Sequence, residues 1–393
     1  MSQRALVLID GEHYAPVVRD ALEALPYDVV GALLVGGTEK LRGDDQYGVP
    51  LVQALDTVEA DLVFDLSDEP VLGPRERMLW ASRALALGLP YLGADFRFDP
   101  PSLEPVGTPS LAVIGLGKRI GKTAVAGHVA RVLARDRRVV VVAMGRGGPA
   151  EPELVEASPT LDDLLALSRS GRHAASDHLE AAALAGVPAV GCRRAGGGLA
   201  GAPFRSNVLA GARLAAQLEP ELLVFDGSGA AVPPVETDAR ILVTNGGHDP
   251  RAGLNAYRVL VSDLVVDTGG ADREAIRSIS DVPVVAAELR LRPAEPLGGR
   301  RTAVFTTGPA PTDELDAEIV HVSRNLARRE ALQEELEQVD AEVYLVELKA
   351  AAVDVVAEAA LARGAEVVLA ANDVVSEELD EWVLTLAMQA VRA

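Results

Sequence analysis

A glycine-rich stretch that carries two lysines lies between a short apolar run and an alanine-rich segment. It reads Gly115-Leu-Gly-Lys-Arg-Ile-Gly-Lys-Thr123, after Leu111–Ile114 and before Ala124–Arg135. In the order strand, loop and helix, glycines let backbone N–H groups converge on an anion, and the start of the helix adds partial positive charge. The motif predicts a phosphate-binding loop, in which Lys122 reaches the β- and γ-phosphates of a nucleotide and Thr123 ligates Mg²⁺.

The residues predicted to contact the nucleotide all belong to this loop, and they are Gly115, Gly117, Lys118, Arg119, Gly121, Lys122 and Thr123. The loop is one residue longer than the common pattern, because Leu116 stands where the first glycine is usually found. A glycine-rich turn that merely starts a helix is the alternative. It explains the two lysines poorly, since the chain has only 4 lysines among its 37 lysine and arginine residues.

An aspartate follows a second apolar run, at the point where a buried strand is expected to end. Leu222–Phe225 leads into Asp226-Gly-Ser-Gly229. An acid at the end of such a strand is typical of the Walker B motif, whose carboxylate holds Mg²⁺ directly or through water. Thr123 and Asp226 are therefore the predicted metal ligands. The alternative for Asp226 is an ordinary turn residue before a glycine.

An arginine flanked by glycines follows another predicted strand. Val139–Ala143 is expected to end at the same sheet edge as the phosphate-binding loop, and Arg146, Gly147 and Gly148 come directly after it. A guanidinium group beside accessible backbone N–H groups suits a phosphate or a carboxylate. We therefore predict that these three residues bind an anionic substrate.

A second loop, Cys192-Arg-Arg-Ala-Gly-Gly-Gly198, also sets two arginines against glycines. Arg193, Arg194 and, further along, Arg205 are predicted to bind anionic groups of the substrate. The alternative is a surface loop with incidental arginines in an arginine-rich chain. If all these cations gather at one sheet edge of a protein with net charge −21, the ligand is expected to be more anionic than ATP alone.

Short β-branched runs alternate with segments rich in alanine, leucine and arginine along the chain. Continuous apolar character, as in Val139–Ala143, is typical of strands covered on both faces. The strand–helix–strand repetition predicts an α/β fold, in which a doubly wound, mostly parallel sheet of the P-loop NTPase type is joined to a smaller N-terminal α/β domain. Among the helices, two are predicted over Arg324–Val339 and Lys349–Arg363.

Two proline-rich stretches divide the predicted elements into three parts. Residues 1–104 form an N-terminal α/β domain of unassigned role. Residues 105–298 form the P-loop domain that binds nucleotide and substrate. Residues 299–393 form a C-terminal α/β segment, which is either a separate domain or a continuation of the P-loop domain.

Composition excludes several other classes of protein. The net charge of −21 argues against a nucleic-acid partner, because phosphate backbones attract basic surfaces. No apolar run reaches the ~18 residues of a membrane-spanning helix, and the first residues lack a signal-peptide pattern. Cys192 is the single cysteine, so an internal disulfide and a cysteine zinc cluster are excluded. We expect a cytoplasmic protein without a membrane partner, and a homodimer is left open.

Segments spread over nearly the whole chain resemble the cyclic 2,3-diphosphoglycerate synthetase family, and they are Gly93–Pro100, Ile114–Thr123, Ala143–Pro149, Cys192–Gly198, Phe225–Asp238 and Glu347–Val356. The resemblance implies an ATP-dependent ligase that closes 2,3-diphosphoglycerate into a cyclic phosphoanhydride and releases ADP and phosphate. Substrate phosphates would act as the nucleophiles. Positioning and charge neutralisation would supply most of the catalysis, and Lys118, Lys122 and Arg146 match that role.

The phosphate-binding loop is also similar to that of dethiobiotin synthetase, which has the same length between its first glycine and Gly-Lys-Thr. The acidic Gly-x-Gly motif of that enzyme is similar to Asp226–Gly229. Another small-molecule kinase or ring-closing ligase of this class is therefore one alternative, and a partition-type ATP switch is another. Partition ATPases usually carry a second lysine at the position of Gly117, and Lys118 is displaced from it by one residue.

Overall fold

The computed structural model describes residues 2–37, 47–308 and 311–392 and divides into two compact units. The first unit consists of Met1–Ser102, Asp249–Val261 and Arg273–Asp281. The second consists of Leu103–His248, Ser262–Asp272 and Val282–Ala393. Lys40, one of the four lysines, lies outside the described residues. In the described ranges, no helix combines the length and the apolar character needed to cross a bilayer.

The first unit is built on a small sheet. Its elements are β1 (Arg4–Ile9), α1 (Ala15–Ala24), β2 (Asp28–Leu34), β3 (Leu51–Val52), β4 (Leu62–Asp65), α2 (Pro74–Ala86), β5 (Tyr91–Leu92) and β6 (Arg97–Phe98). Among residues 2–37 and 47–98 the strand order is β3-β2-β1-β4-β5-β6, and only the β5–β6 pair is antiparallel. The central strand β1 is apolar from Ala5 to Ile9 and is buried throughout, as a strand covered on both faces requires.

The middle of the chain alternates strands and helices. Its elements are β7 (Ser110–Gly115), α3 (Lys122–Leu133), β8 (Val139–Gly145), β9 (Glu153–Val155), α4 (Leu161–Arg169), α5 (Asp177–Glu180), a π-helical turn (Ala181–Ala185), β10 (Ala189–Ala195), β11 (Arg205–Ser206), α6 (Val208–Ala216), β12 (Leu222–Asp226), β13 (Ala239–Thr244), α7 (Asn255–Leu260), β14 (Leu264–Asp267), α8 (Arg273–Ile279) and β15 (Val284–Ala286). The helices α7 and α8 belong to the first unit, where α7 packs against α2.

The strands of this middle part form one mostly parallel sheet with the order β11-β10-β8-β12-β7-β13-β14-β15, and β9 pairs with β10. Side chains alternate between the two faces of a strand. Val141 of β8 belongs to the apolar core that also contains α3, whereas its neighbour Val142 faces Gly211 of α6. Helices therefore cover both faces, which confirms the predicted doubly wound α/β fold.

The C-terminal part adds a second sheet to the same unit. Its elements are β16 (Glu288–Pro293), β17 (Arg301–Phe305), β18 (Glu318–Ser323), α9 (Arg329–Leu336), β19 (Val343–Glu347), a π-helical turn (Ala352–Ala357), α10 (Glu358–Ala362), β20 (Glu366–Val375) and α11 (Leu379–Ala390). Over the described residues the order is β16-β20-β19-β17-β18, and β16 is antiparallel to β20. Both β20 and α11 pack against α3, so this part shares apolar core with the P-loop sheet.

The helix predicted over Arg324–Val339 is shorter in the structure, where α9 spans Arg329–Leu336. The preceding residues direct their backbone groups to other elements. The Leu326 N–H donates to the Thr306 carbonyl oxygen at 3.3 Å, and its carbonyl oxygen accepts from the Ala351 N–H at 3.3 Å. Because these groups are already paired, residues 324–328 form a loop and not a helical turn.

Candidate active site

The phosphate-binding loop joins β7 to α3, as the sequence predicts. Gly121 precedes the helix with φ of +75°, a conformation that favours glycine, and a Cβ there would lie 2.5 Å from Leu289 Cδ1. Gly117 is packed against the ring of His248, so closely that a Cβ at Gly117 would lie 1.9 Å from Nε2. A side chain at either position would therefore force Leu289 or His248 to move.

Asp226 ends β12, which lies directly beside β7 in the sheet. This adjacency brings its carboxylate to the start of α3, where the Lys122 ammonium donates a hydrogen bond to Asp226 Oδ1. Both residues are buried, with 2% of Asp226 and 8% of Lys122 exposed. Burial raises the pKa of Asp226, whereas the charge of Lys122 acts in the opposite direction.

A cavity of about 450 Å³ opens next to this pair in the second unit. The predicted site residues that line it are Gly117, Lys118, Arg119, Gly121, Lys122, Thr123, Arg146, Gly147 and Gly148. Arg146 reaches it because β8 ends at the same edge of the sheet, one strand beyond β12. The structure thus brings the phosphate-binding loop and the first arginine loop together.

The wall of this cavity is strongly positive. Five cations line it, namely Lys118, Arg119, Lys122, Arg146 and Lys349, against one carboxylate, Asp177. Within the described part of the chain, the side chains of Lys118, Arg119 and Arg146 have neither a hydrogen bond nor an ion pair with another residue. Uncompensated cations are unexpected in a protein of net charge −21, and they favour a ligand with several negative groups.

The second arginine loop has a different position. Arg193 and Arg205 are exposed and do not line the cavity. Arg194 lies beside it, because its Nη2 donates to the carbonyl oxygen of Ser228, a lining residue, at 2.9 Å. Gly115, the first glycine of the phosphate-binding loop, does not line the cavity, and its Cα faces Ile120 and the Gly229 carbonyl oxygen. The binding roles predicted for Arg193, Arg194 and Arg205 remain predictions.

Two side chains in the cavity wall lie far from the predicted motifs in sequence. Asp177 starts the short helix α5, and Lys349 follows β19 of the C-terminal sheet. No motif singles out Asp177 among the 58 acidic residues. Two features of the sequence point to Lys349: lysine is scarce in this chain, and Lys349 lies in the segment Glu347–Val356, which resembles the family.

The single cysteine is not placed for nucleophilic chemistry. Cys192 lies in β10 with 1% of its surface exposed, and its Sγ fills the space beside Gly211. Burial raises the pKa of its thiol to about 12, so the thiolate is scarce near neutral pH. Cys192 therefore acts as a small apolar side chain of the core.

The loop after β7, the aspartate at the end of β12 and the doubly wound parallel sheet define a P-loop nucleotide-binding protein of the α/β class. Three domain families match the chain in order: the N-terminal domain of cyclic 2,3-diphosphoglycerate synthetase over residues 4–99, its P-loop domain over residues 110–284 and its C-terminal domain over residues 293–373. The chain belongs to the cyclic 2,3-diphosphoglycerate synthetase family.

Curated relatives extend this match to the full length of the chain. The cyclic 2,3-diphosphoglycerate synthetase of Rubrobacter xylanophilus is 48% identical over 99% of this chain and 98% of that protein. Those of Thermococcus kodakarensis and Methanothermus fervidus are 41% and 36% identical, over 98% and 99% of this chain and 99% and 98% of the relatives. The resemblance seen in the sequence motifs is therefore confirmed.

Among solved structures, the chain is similar to LpxK from Aquifex aeolicus in complex with ATP. The TM-score is 0.46 at 15% identity, over 74% of this chain and 90% of that chain.

Proposed function

We propose that this protein is a ligase that uses ATP to cyclise 2,3-diphosphoglycerate to cyclic 2,3-diphosphoglycerate and releases ADP and phosphate. The observation that carries the proposal is the cavity beside the phosphate-binding loop, whose wall holds five cations and one carboxylate. Such a wall suits a substrate with two phosphates and a carboxylate next to a triphosphate. The names of the curated relatives support the same substrate.

The reaction needs two displacements at phosphorus. An oxygen of one substrate phosphate attacks the γ-phosphorus of ATP, the new P–O bond forms, and the bond to ADP breaks. An oxygen of the second substrate phosphate then attacks the phosphorus of the activated first phosphate. That step closes the ring and expels the former γ-phosphoryl group as inorganic phosphate.

No protein nucleophile is needed, because substrate phosphates form both new bonds. The contribution of the protein is to hold phosphates together against their mutual repulsion. Lys118, Lys122 and the backbone N–H groups of the loop are proposed to bind the triphosphate. Arg146, Gly147 and Gly148 are proposed to bind the anionic groups of the substrate, since they line the same cavity from β8.

The residues at the start of α3 fit a bound Mg²⁺ ion. Thr123 lines the cavity, the buried Asp226 lies beside Lys122, and hydroxyl and carboxylate oxygens are the ligands that this hard cation prefers. We propose that Thr123 and Asp226 hold the ion, Asp226 directly or through water. When bound, Mg²⁺ neutralises charge on the β- and γ-phosphates.

Phosphorus-31 NMR of the purified protein with Mg²⁺-ATP and 2,3-diphosphoglycerate tests this function. We expect the two monoester signals to give way to a coupled pair in the phosphoanhydride region while ADP and phosphate accumulate together. ATP consumption without that pair would contradict the proposal and favour another kinase or ligase of the class. ATP hydrolysis that does not depend on any small substrate would favour a partition-type switch.

The cytoplasmic location and the homodimer remain predictions.

A further inference from the structure

Lys349 reaches the cavity of the phosphate-binding loop from the C-terminal sheet. It stands two residues after the end of β19, and its side chain keeps 26% of its surface exposed. The other lysines in the cavity wall, Lys118 and Lys122, both belong to the phosphate-binding loop. Lys349 therefore adds a positive charge from an element that has no part in forming that loop.

The backbone around Lys349 is sharply turned. The Lys349 N–H donates to the Glu347 carbonyl oxygen at 2.7 Å, and Ala350 has φ of +49°, which is unfavourable for a residue with a Cβ atom. The π-helical turn Ala352–Ala357 follows, and such turns are frequent at functional sites. The helix predicted from Lys349 therefore starts later, and Lys349 lies on the cavity wall outside it.

One buried carboxylate, Glu180, pairs with the Lys349 side chain, and a second, Glu347, interacts with its charge. The Lys349 Nζ lies 3.4 Å from Glu180 Oε1, while the second oxygen of Glu180 is buried and has no partner among the described residues. Glu347 is fixed by Asn372, whose Nδ2 donates to Oε1 at 2.6 Å, and by Thr307, whose N–H donates to Oε2 at 2.8 Å. Glu347 is thus oriented by the fold, whereas Glu180 is held by burial and by its pair with Lys349.

These surroundings keep Lys349 charged. Burial lowers the pKa of its ammonium group, but Glu180, Glu347 and Asp177 outweigh that effect and raise the pKa. The charge of Lys349 in turn lowers the pKa of Asp226. Lys349 therefore lies within electrostatic reach of the Lys122–Asp226 pair, where the γ-phosphate of a bound nucleotide is expected.

We propose that Lys349 is a further catalytic residue, which binds the substrate phosphate that attacks the γ-phosphorus of ATP, and that Glu180 positions it. This inference rests on the proposed function. The cations of the phosphate-binding loop serve the triphosphate, so the attacking phosphate needs a counter-charge of its own close to the γ-position. Lys349 stays protonated while the new P–O bond forms and the bond to ADP breaks.

The variant Lys349→Met tests the role of the charge. We expect kcat/KM for 2,3-diphosphoglycerate to fall about 100-fold, the size of effect found when one donor to a transition state is removed. The Kd of a non-hydrolysable ATP analogue should change less than about threefold, since the loop is intact. The matched control is Arg329→Met, which removes an exposed cation of α9 that pairs with Asp354 and should leave both constants unchanged.

Removing Lys349 leaves the buried Glu180 uncompensated, so a second variant guards against a folding defect. Combining Lys349→Met with Glu180→Gln removes both charges of the pair, so no buried charge is left uncompensated. The double variant should fold like the wild type and show the same loss of kcat/KM as Lys349→Met. In Lys349→Cys, alkylation with 2-bromoethylamine rebuilds an ammonium group at this position. Cys192 is buried and should not react. We expect the treatment to restore at least a tenth of wild-type kcat/KM.

The inference is overturned if Lys349→Met keeps more than a third of wild-type kcat/KM, or if analogue affinity falls in step with turnover. Failure of the ammonium to restore activity in the well-folded Lys349→Cys protein would also overturn it. The wild-type protein is assayed in parallel. If it forms no cyclic product, the proposed function itself fails, whereas normal product formation by both wild type and variant rejects only the role of Lys349.

Discussion

The ammonium group of Lys122 donates a hydrogen bond to the carboxylate of Asp226, across the gap between the start of α3 and the end of β12. Both side chains are buried, so each charge is compensated mainly by the other. If Lys122 binds the nucleotide phosphates as proposed, it must turn from Asp226 toward a new anion. Nucleotide binding would then change the environment of Asp226.

Lys122→Met should abolish ATP turnover and also destabilise the fold. Breaking a buried ion pair by removing one partner costs about 3–5 kcal/mol, because the other charge is left buried and uncompensated. Asp226 can escape this cost by taking up a proton, so the loss should be larger at pH 8 than at pH 5. Urea unfolding of both proteins at the two pH values measures the difference.

The double variant Lys122→Met, Asp226→Asn is the control for that experiment. It carries no unpaired charge and should recover most of the unfolding free energy without recovering activity. Equal destabilisation of the single and the double variant would show that lost packing, and not the uncompensated carboxylate, is the cause.

Arg146→Ala should reduce turnover without weakening nucleotide binding. Arg146 lines the cavity from β8 and has no partner among the described residues, so its removal leaves no buried charge behind. We expect kcat/KM for 2,3-diphosphoglycerate to fall about 100-fold or more, as for loss of one charged donor at a phosphoryl-transfer site. The Kd of an ATP analogue should stay within about threefold, as measured by calorimetry.

Arg301→Ala is the matched control for Arg146→Ala. Arg301 lies on β17, forms an exposed ion pair with Asp340 and does not line the cavity. It should leave turnover unchanged. A loss of analogue affinity equal to the loss of turnover in Arg146→Ala would instead assign Arg146 to the nucleotide.

Gly117→Ala should weaken nucleotide binding through a steric clash. A Cβ at this position would lie 1.9 Å from the ring Nε2 of His248, so either the loop or the ring must move. Overpacking of this kind costs about 1–3 kcal/mol, and we expect a loss of about 10-fold or more in ATP affinity. Titration with a fluorescent ATP analogue measures it.

Combining Gly117→Ala with His248→Ala makes room for the added methyl group. The double variant should regain most of the lost affinity if the ring is the obstacle. If it binds the analogue no better than Gly117→Ala alone, the defect lies in the backbone of the loop.

The protein should lose stability relative to Glu180→Gln as the pH rises from 5 to 8. Burial raises the pKa of Glu180 to about 7 from its ordinary value of 4.5, although Lys349 acts in the opposite direction. The folded state then holds this proton more tightly than the unfolded chain. The stability that Glu180 contributes is therefore full below pH 4.5 and is lost as the pH rises through 7.

Urea unfolding of wild type and Glu180→Gln at four pH values tests this trend. Glu366→Gln is the control, since Glu366 pairs with Arg300 on the surface and its pKa is lowered, so it titrates below this range. Parallel stability curves for wild type and Glu180→Gln would contradict the prediction.

The phosphate-binding loop could be predicted from the sequence because its parts are contiguous. A strand, a glycine-rich loop and the first turn of a helix follow one another within residues 110–133, and their geometry depends on local steric and hydrogen-bonding rules. Asp226 and Arg146 were also predictable, since parallel strands end at a common edge and bring distant loops together there. The fold class followed from the same alternation of buried strands and helices.

Only folding shows that Asp177 and Lys349 line the cavity, because each reaches it through packing between distant segments. Asp177 lies in no motif, and the family-like segment around Lys349 does not by itself predict where its side chain lies. Edge strands were hard to predict for a related reason. β18 alternates exposed and covered residues, because one edge and one face meet solvent, so it lacks the continuous apolar run that marks a central strand. Arginines in glycine-rich loops show no sequence pattern that tells which of them face a ligand. Only the three-dimensional arrangement separated Arg146, in the cavity wall, from Arg193 and Arg205, which lie outside it.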